Sequence, residues 1–142
     1  MTEVEAIAAR IGASGPIRLL INDRWYKAQA PEDVAMPFCV WLESSTEEQR
    51  HLNGPTALAS ATIDIDIVDR MAGLADDIAK QIRLIAHGRD AVVDGQAVGE
   101  MTITSTDRNI IPPSNAGEVA IYNVSISIEI WFEQSIIAAA KI

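Results

Sequence analysis

Residues 58–68 read LASATIDIDIV, and their apolar and polar side chains alternate. Alternation with a period of two is typical of a β-strand that buries one face. The buried face of the predicted strand, Leu58 to Val68, carries Ala59, Ala61, Ile63, Ile65 and Ile67. The opposite face carries Ser60, Thr62, Asp64 and Asp66. We therefore expect a sheet with one face on a core and one polar face.

Four other segments are predicted to be strands. Val119 to Glu133 places an apolar row opposite the polar row Asn123, Ser125, Ser127, Glu129 and Trp131. In the strand that begins at Phe38, the apolar row Phe38, Val40 and Leu42 lies opposite Cys39, Trp41 and Glu43, which we interpret as the polar row. Glu100 to Thr106 and Arg24 to Ala28 are shorter strands. The polar stretches Ser44 to Pro55 and Asp107 to Gly117 are predicted to be loops.

Two segments have the apolar spacing of helices. One runs from Thr2 to Ile11, and the other follows a predicted N-cap at Asp69 and ends at Gly88. The short apolar run Ile17 to Ile21 has no assigned type. This order predicts an α+β fold, with an antiparallel sheet of about four to five strands and two helices packed on one face. We expect a single domain, 1–142, made of a core (1–134) and an apolar C-terminal tail (135–142), a candidate intersubunit arm.

Composition excludes several classes of protein. The 142 residues are 49% hydrophobic, which excludes an intrinsically disordered chain. Eleven Lys and Arg against twenty Asp and Glu leave a net charge of -9, which argues against binding DNA by neutralising its phosphates. The N-terminus lacks a signal peptide, and no apolar run reaches the ~20 residues of a membrane span. We therefore expect a soluble protein, cytoplasmic where it is made.

No catalytic, cofactor-binding or metal site is predicted. His51 and His87 are far apart in sequence and lack ligand spacing with a cysteine or aspartate. Cys39 is the only cysteine, and we interpret it as a small buried strand residue rather than as the nucleophile of a Cys–His pair. Asp64 and Asp66 share a strand face, where they could hold a cation together with Glu129 or simply form a solvated surface.

Apolar groups in polar surroundings indicate a covered surface. Trp41 and Trp131 are assigned to the polar rows of their strands, and Ile136 and Ile137 follow the last strand. Aromatic residues are enriched at the cores of protein interfaces. The cover is either a neighbouring subunit or the chain's own loops and tail.

Several segments, taken in order, resemble one family. They are Asn22-Asp23-Arg24-Trp25-Tyr26, Ala30-Pro31-Glu32, Met36-Pro37-Phe38-Cys39-Val40-Trp41, Asn53-Gly54, the Ala61 to Ile67 strand with the helix after it, and Val119 to Ile126 closing on Ile130-Trp131-Phe132. Over about residues 17–133 the sequence resembles the small tail completion proteins, or tail terminators, of long-tailed phages and gene transfer agents. The apolar end from Ser135 to Ile142 and the long, acid-containing loop from Ser44 to Pro55 depart from the family pattern.

The resemblance implies a structural virion protein without catalysis or cofactor. It implies a ring, usually a hexamer, that caps the head-proximal end of the tail tube, stops its polymerisation and forms the surface where the head docks. Its partners would be further copies, the tail-tube protein and a head-completion or connector protein, at the head–tail junction of a virion assembled in the host cytoplasm. DNA would pass through the lumen without specific binding, and no membrane is involved.

On this interpretation two sets of residues have roles. We expect subunit contacts at Trp41, Trp131, Ile136 and Ile137, and lumen-facing acids at Asp64, Asp66 and Glu129. Two alternatives stay open, a head–tail connector or stopper ring, and a small α+β enzyme or ligand- or metal-binding domain that uses Asp64 and Asp66.

Overall fold

The computed structural model describes residues 3–50, 56–86, 91–93, 96–112 and 120–135, and it confirms the predicted α+β class. Its elements are α1 (Glu3–Gly12), α2 (Gly15–Ile21), β1 (Trp25–Lys27), β2 (Phe38–Arg50), β3 (Thr56–Asp69), α3 (Ala72–Ala86), β4 (Ala91–Val93), β5 (Gln96–Ile111) and β6 (Ile121–Ser135). No helix within these ranges is long and apolar enough to cross a bilayer.

The strands form one sheet in the order β1-β2-β3-β6-β5-β4. Neighbouring strands are antiparallel, except that β1 pairs with β2 in parallel. The sequence predicted five of these six strands, and it missed β4 because three residues are too few to show an alternation. The apolar run 17–21, which had no assigned type, is the helix α2, so the described part of the chain contains three helices where two were predicted.

The core lies between one face of the sheet and the helices. Pairing of β3 with β6 sets Ile63 opposite Ile128, Ile65 opposite Ile126 and Ile67 opposite Val124. These side chains join a single buried cluster with apolar residues from all three helices, among them Ile7, Ile11, Ile17, Ile21, Ile78 and Ile82. We call this side of the sheet the helix-covered face and the other side the open face.

The direction of Trp41 corrects the sequence analysis. Trp41 pairs with Ile65 and Cys39 with Ile67, so both lie on the helix-covered face. Trp41 is 5% exposed, and the Nζ atom of Lys27 lies 5.6 Å from its ring centroid. The prediction that Trp41 belongs to the polar row is wrong, and Trp41 is a core residue rather than an exposed subunit contact. Both rows of this strand are apolar at its start, so its alternation does not identify the buried row.

Both predicted loops begin as continuations of strands. β2 continues through the polar residues 44–50, and β5 continues to Ile111, well past the predicted end at Thr106. Each strand contains an irregularity, between Glu43 and Ser45 in β2 and between Ile103 and Ser105 in β5. Such a bulge shifts the alternation by one residue, so the period of two is interrupted there although the strand continues.

Asp69 does not serve as the N-cap that was predicted. It is the last residue of β3, it lies opposite Tyr122 and it is 5% exposed. The helix begins three residues later, at Ala72, and the first bond next to it runs from the Ala75 amide to the Met71 carbonyl oxygen. The predicted helix end at Gly88 lies outside the described residues.

Candidate functional site

The open face gathers polar side chains from the two central strands and β5. Direct pairing places Asp64 opposite Ser127, Asp66 opposite Ser125 and Thr62 opposite Glu129. On the other side of β6, Asp107 lies opposite Ser125. Because directly opposed residues point to the same side of a sheet, this surface includes the carboxylates of Asp64, Asp66, Asp107 and Glu129.

Hydrogen bonds hold three of these carboxylates in place. Ser127 Oγ donates to Asp64 Oδ1 at 2.6 Å, and Ser125 Oγ donates to Asp66 Oδ1. The indole Nε1 of Trp131 donates to Glu129 Oε1 at 2.9 Å. All of these groups are half-buried, so the carboxylates are oriented by the sheet but still reach solvent.

The open face has one sign of charge. In the described strands, the register places no Lys or Arg on this side of the sheet. Basic residues lie instead on the helices, at Arg10, Arg18, Lys80 and Arg83. Arg108 extends from the opposite side of β5 to Asp76 of α3, with 3.0 Å between Nε and Oδ1. The surface therefore presents a negative potential and repels phosphate groups.

The same face has an apolar border next to the carboxylates. Val40 lies opposite Asp66, Leu42 opposite Asp64 and Phe38 opposite Val68. Leu42 is 50% exposed. The alternation of β2 predicted that the row Phe38, Val40 and Leu42 faces the core, so this apolar strip on the polar surface was not expected.

The structure does not show a metal centre. Among the residues that it describes, no three His, Cys, Asp or Glu side chains are grouped closely enough to hold an ion. One oxygen of Asp64 and one of Asp66 already accept serine hydroxyls. The alternative in which these aspartates share a cation with Glu129 therefore receives no support from their geometry.

Cys39 has the environment of a core residue. Its side chain is fully buried, and burial together with the nearby charge of Asp66 raises the pKa of the thiol to about 12. A thiol with this pKa stays protonated at neutral pH and is a poor nucleophile. His51 and His87 lie outside the described residues.

The predicted site residues separate into three groups. Asp64, Asp66, Glu129 and Trp131 lie together on the open face, as their alternation indicated. Trp41 lies in the core, and Ile136 and Ile137 lie outside the described residues. Asp107 was missed because it was assigned to a loop; the polar alternation Ser105, Asp107, Asn109 was the available signal.

A comparison with known protein families shows which family the chain belongs to. Residues 5–133 match the model of the family described as tail completion protein gp17. The chain belongs to the tail completion protein gp17 family. The match spans α1 through most of β6, so the open face and the helices that support it all belong to the family domain.

This member of the tail completion family also shares its fold with a chain in a solved structure. That structure is described as the virion of a native gene transfer agent particle, and its chain superposes with a TM-score of 0.69 at 14% sequence identity. The alignment covers 89% of this chain and 92% of that chain. A search of curated proteins finds no match. Family membership gives the protein a structural role in phage tail completion.

Proposed function

We propose that this protein forms a closed ring, most simply a hexamer, that caps the head-proximal end of the tail tube. The ring stops polymerisation of the tube and presents a surface on which the filled head docks. The open face, with Asp64, Asp66, Asp107 and Glu129, faces the lumen through which DNA passes. The role is structural, with no catalytic step and no cofactor, and its place is the head–tail junction of the virion.

The observation that carries the lumen assignment is the single sign of charge on the open face. A channel that must let DNA slide cannot hold its phosphates, and lysine or arginine side chains would do so by releasing condensed counterions. The hydrogen bonds from Ser125 and Ser127 keep the side chains of Asp66 and Asp64 oriented on this face. The solved structure that shares this fold is described as a gene transfer agent virion, which supports a place in a virion for this protein.

A ring also needs interfaces that repeat from head to tail, because this is how identical subunits close a circle. We propose that Trp131, half-buried at the far end of the open face, contacts a neighbouring copy. Its indole is tied to Glu129, so a large apolar surface is held in one orientation, as interface anchors require.

The test combines the purified protein with tail tubes polymerised from the tube protein. Electron microscopy should show a ring of density at one end of each tube, and further tube growth should stop at that end. Density on isolated heads with bare tube ends would instead favour a connector or stopper ring. A protein that stays monomeric and binds neither tubes nor heads would contradict the proposal.

A further inference from the structure

An apolar groove lies between α3 and β5, on the helix-covered side of the sheet. Its volume is about 560 Å³, and its described lining consists of Arg83, Leu84, Ile103, Thr104, Ser105 and Thr106. Leu84 is 59% exposed, although it faces this groove, and Ile103 is only partly buried. Two apolar side chains therefore line a groove that has room for two or three apolar side chains of a bound segment.

The floor of the groove is a strand with an open edge. β4 pairs only with residues 96–98 of β5. In the part of the chain that the structure describes, residues 103–111 of β5 pair with β6 on one side and with no strand on the other. The outward N–H and C=O groups of such an edge accept an added strand readily. The bulge between Ile103 and Ser105 lies at the groove itself.

The opposite edge of the sheet is less suited to binding an added strand. Beyond Trp41, β2 has no further pairing to β1, but its next residues include Glu43, Glu47 and Glu48. Charged residues on an edge strand discourage pairing with another chain. The β5 edge, which continues into the exposed Ile110 and Ile111, is the more receptive one.

We propose that the groove and the β5 edge bind the segment Ile136-Ile137 of a second copy of this chain, which adds a short strand beside residues 103–106. Isoleucine is β-branched and favours the extended conformation that such pairing needs. The two side chains are apolar, as the groove is. This inference rests on the proposed ring, and it names the contact that joins one subunit to the next.

The register of β6 shows why the donor is a second copy. Ile103 lies opposite Ile128, and Ser135 lies seven residues further along the same strand. At about 3.3 Å per residue, Ser135 is roughly 23 Å from the groove. Ile137 is two residues beyond Ser135 and extends at most about 7 Å from it. The segment therefore cannot fill the groove of its own subunit.

The proposed contact between subunits is head-to-tail. The end of β6 on one subunit enters the α3–β5 groove of the next, so donor and acceptor surfaces differ. Contacts of this kind repeat around a circle and close it when the rotation between subunits divides a full turn. The segment thus serves as an arm from each subunit to its neighbour.

Disulfide trapping tests the proposal on the full chain. Two single variants, Leu84→Cys and Ile137→Cys, are mixed, assembled on tail tubes and oxidised; Cys39 is buried and does not compete. We expect covalent dimers that contain one copy of each variant. The matched control replaces Leu84→Cys by Leu19→Cys, since Leu19 is also an exposed helical leucine, 86% exposed on α2. The control pair should give only background dimer.

Two results would overturn the inference. One is dimer formation by Leu84→Cys that is no faster than by Leu19→Cys. The other is an intramolecular disulfide in the double variant Leu84→Cys/Ile137→Cys, because it would place the segment in its own groove. Rings that cap tubes without the cross-link would reject this contact and leave the proposed function standing. Cross-linked oligomers that never bind tube ends would reject the function instead.

A charge placed in the groove provides a second measurement. Leu84→Asp should raise the protein concentration needed for ring formation by about tenfold or more, because it puts a carboxylate against the two isoleucines. Leu19→Asp, the same change at another exposed helical leucine outside the groove, should leave this concentration unchanged. Equal effects of the two variants would contradict the contact.

Discussion

Ser127 Oγ donates a hydrogen bond to Asp64 Oδ1 over 2.6 Å, across the central strand pair β3–β6. Replacing Ser127 by alanine leaves this half-buried carboxylate without its donor. We expect Ser127→Ala to lower the free energy of unfolding by about 1 kcal/mol, measured by urea denaturation.

Ser105→Ala is the control, because Ser105 is exposed on the same face. Its effect should stay within about 0.5 kcal/mol. A double-mutant cycle with Asp64→Ala isolates the pair, and a coupling energy near zero would show that the bond contributes nothing to stability.

The charge of the open face should govern DNA passage. Asp107 is exposed on this face, and Asp77 is an equally exposed aspartate on α3. We expect Asp107→Lys rings to bind duplex DNA more tightly at low salt and to reduce DNA delivery by the particle, because the new cations release counterions from the phosphates. Asp77→Lys makes the same change of charge on the helical side and should match the unmodified protein. Equal DNA binding by both variants would contradict the proposal that the open face lines the lumen.

Trp131 should report assembly by its fluorescence. It is the tryptophan of the open face, whereas Trp41 is buried in the core. If a neighbouring copy covers Trp131, its emission should move to shorter wavelength when rings form on tail tubes. Trp131→Phe should abolish this shift and weaken ring formation. The same shift in the variant would place the change elsewhere, and Trp131 would then not be a subunit contact.

Cys39 should make stability depend on alkaline pH. Burial and the charge of Asp66 raise its pKa from 9.0 to about 12 in the folded chain. Below pH 9 the thiol is protonated in both states, so its contribution is fully present. Between these two values the unfolded thiol ionises and the folded one does not, so stability falls by about 1.4 kcal/mol per pH unit. Between about pH 8 and about pH 10, urea unfolding should show a total loss of about 1.4 kcal/mol, because the unfolded thiol ionises only in the upper half of this interval. Cys39→Ala should not show this loss. An equal loss of stability in the unmodified protein and in Cys39→Ala would contradict the raised pKa of Cys39.

Gly12 should not accept a side chain. A Cβ atom at this position would overlap the indole ring of Trp25, which packs against the end of α1. We expect Gly12→Ala to cost about 1–3 kcal/mol of stability, measured by urea denaturation. Gly15, at the start of α2, has nothing within 4 Å of such a Cβ atom. Gly15→Ala should therefore be neutral or slightly stabilising, because alanine favours a helix.

The success of the sequence analysis depended on how clearly each strand separates its two rows. β3 and β6 alternate isoleucine with aspartate, serine and glutamate, so both the strands and their buried rows were predicted correctly. In β2 the first residues are apolar on both sides, and the wrong row was assigned to the core. In β5 the bulge after Ile103 displaced the alternation, so Asp107 was placed in a loop.

The amino-acid pattern alone predicts the α+β class, the two central strands and the acids that their polar rows carry. These features follow from local alternation and helical spacing, which need no knowledge of neighbouring strands. The pairing of strands was needed to show that Trp41 enters the core and that Asp107 joins Asp64, Asp66 and Glu129 on one surface. It was also needed to show that β5, among the described strands, keeps an open edge beside α3. Strand order and register come from contacts between residues far apart in the chain, and the pattern of one segment does not contain them.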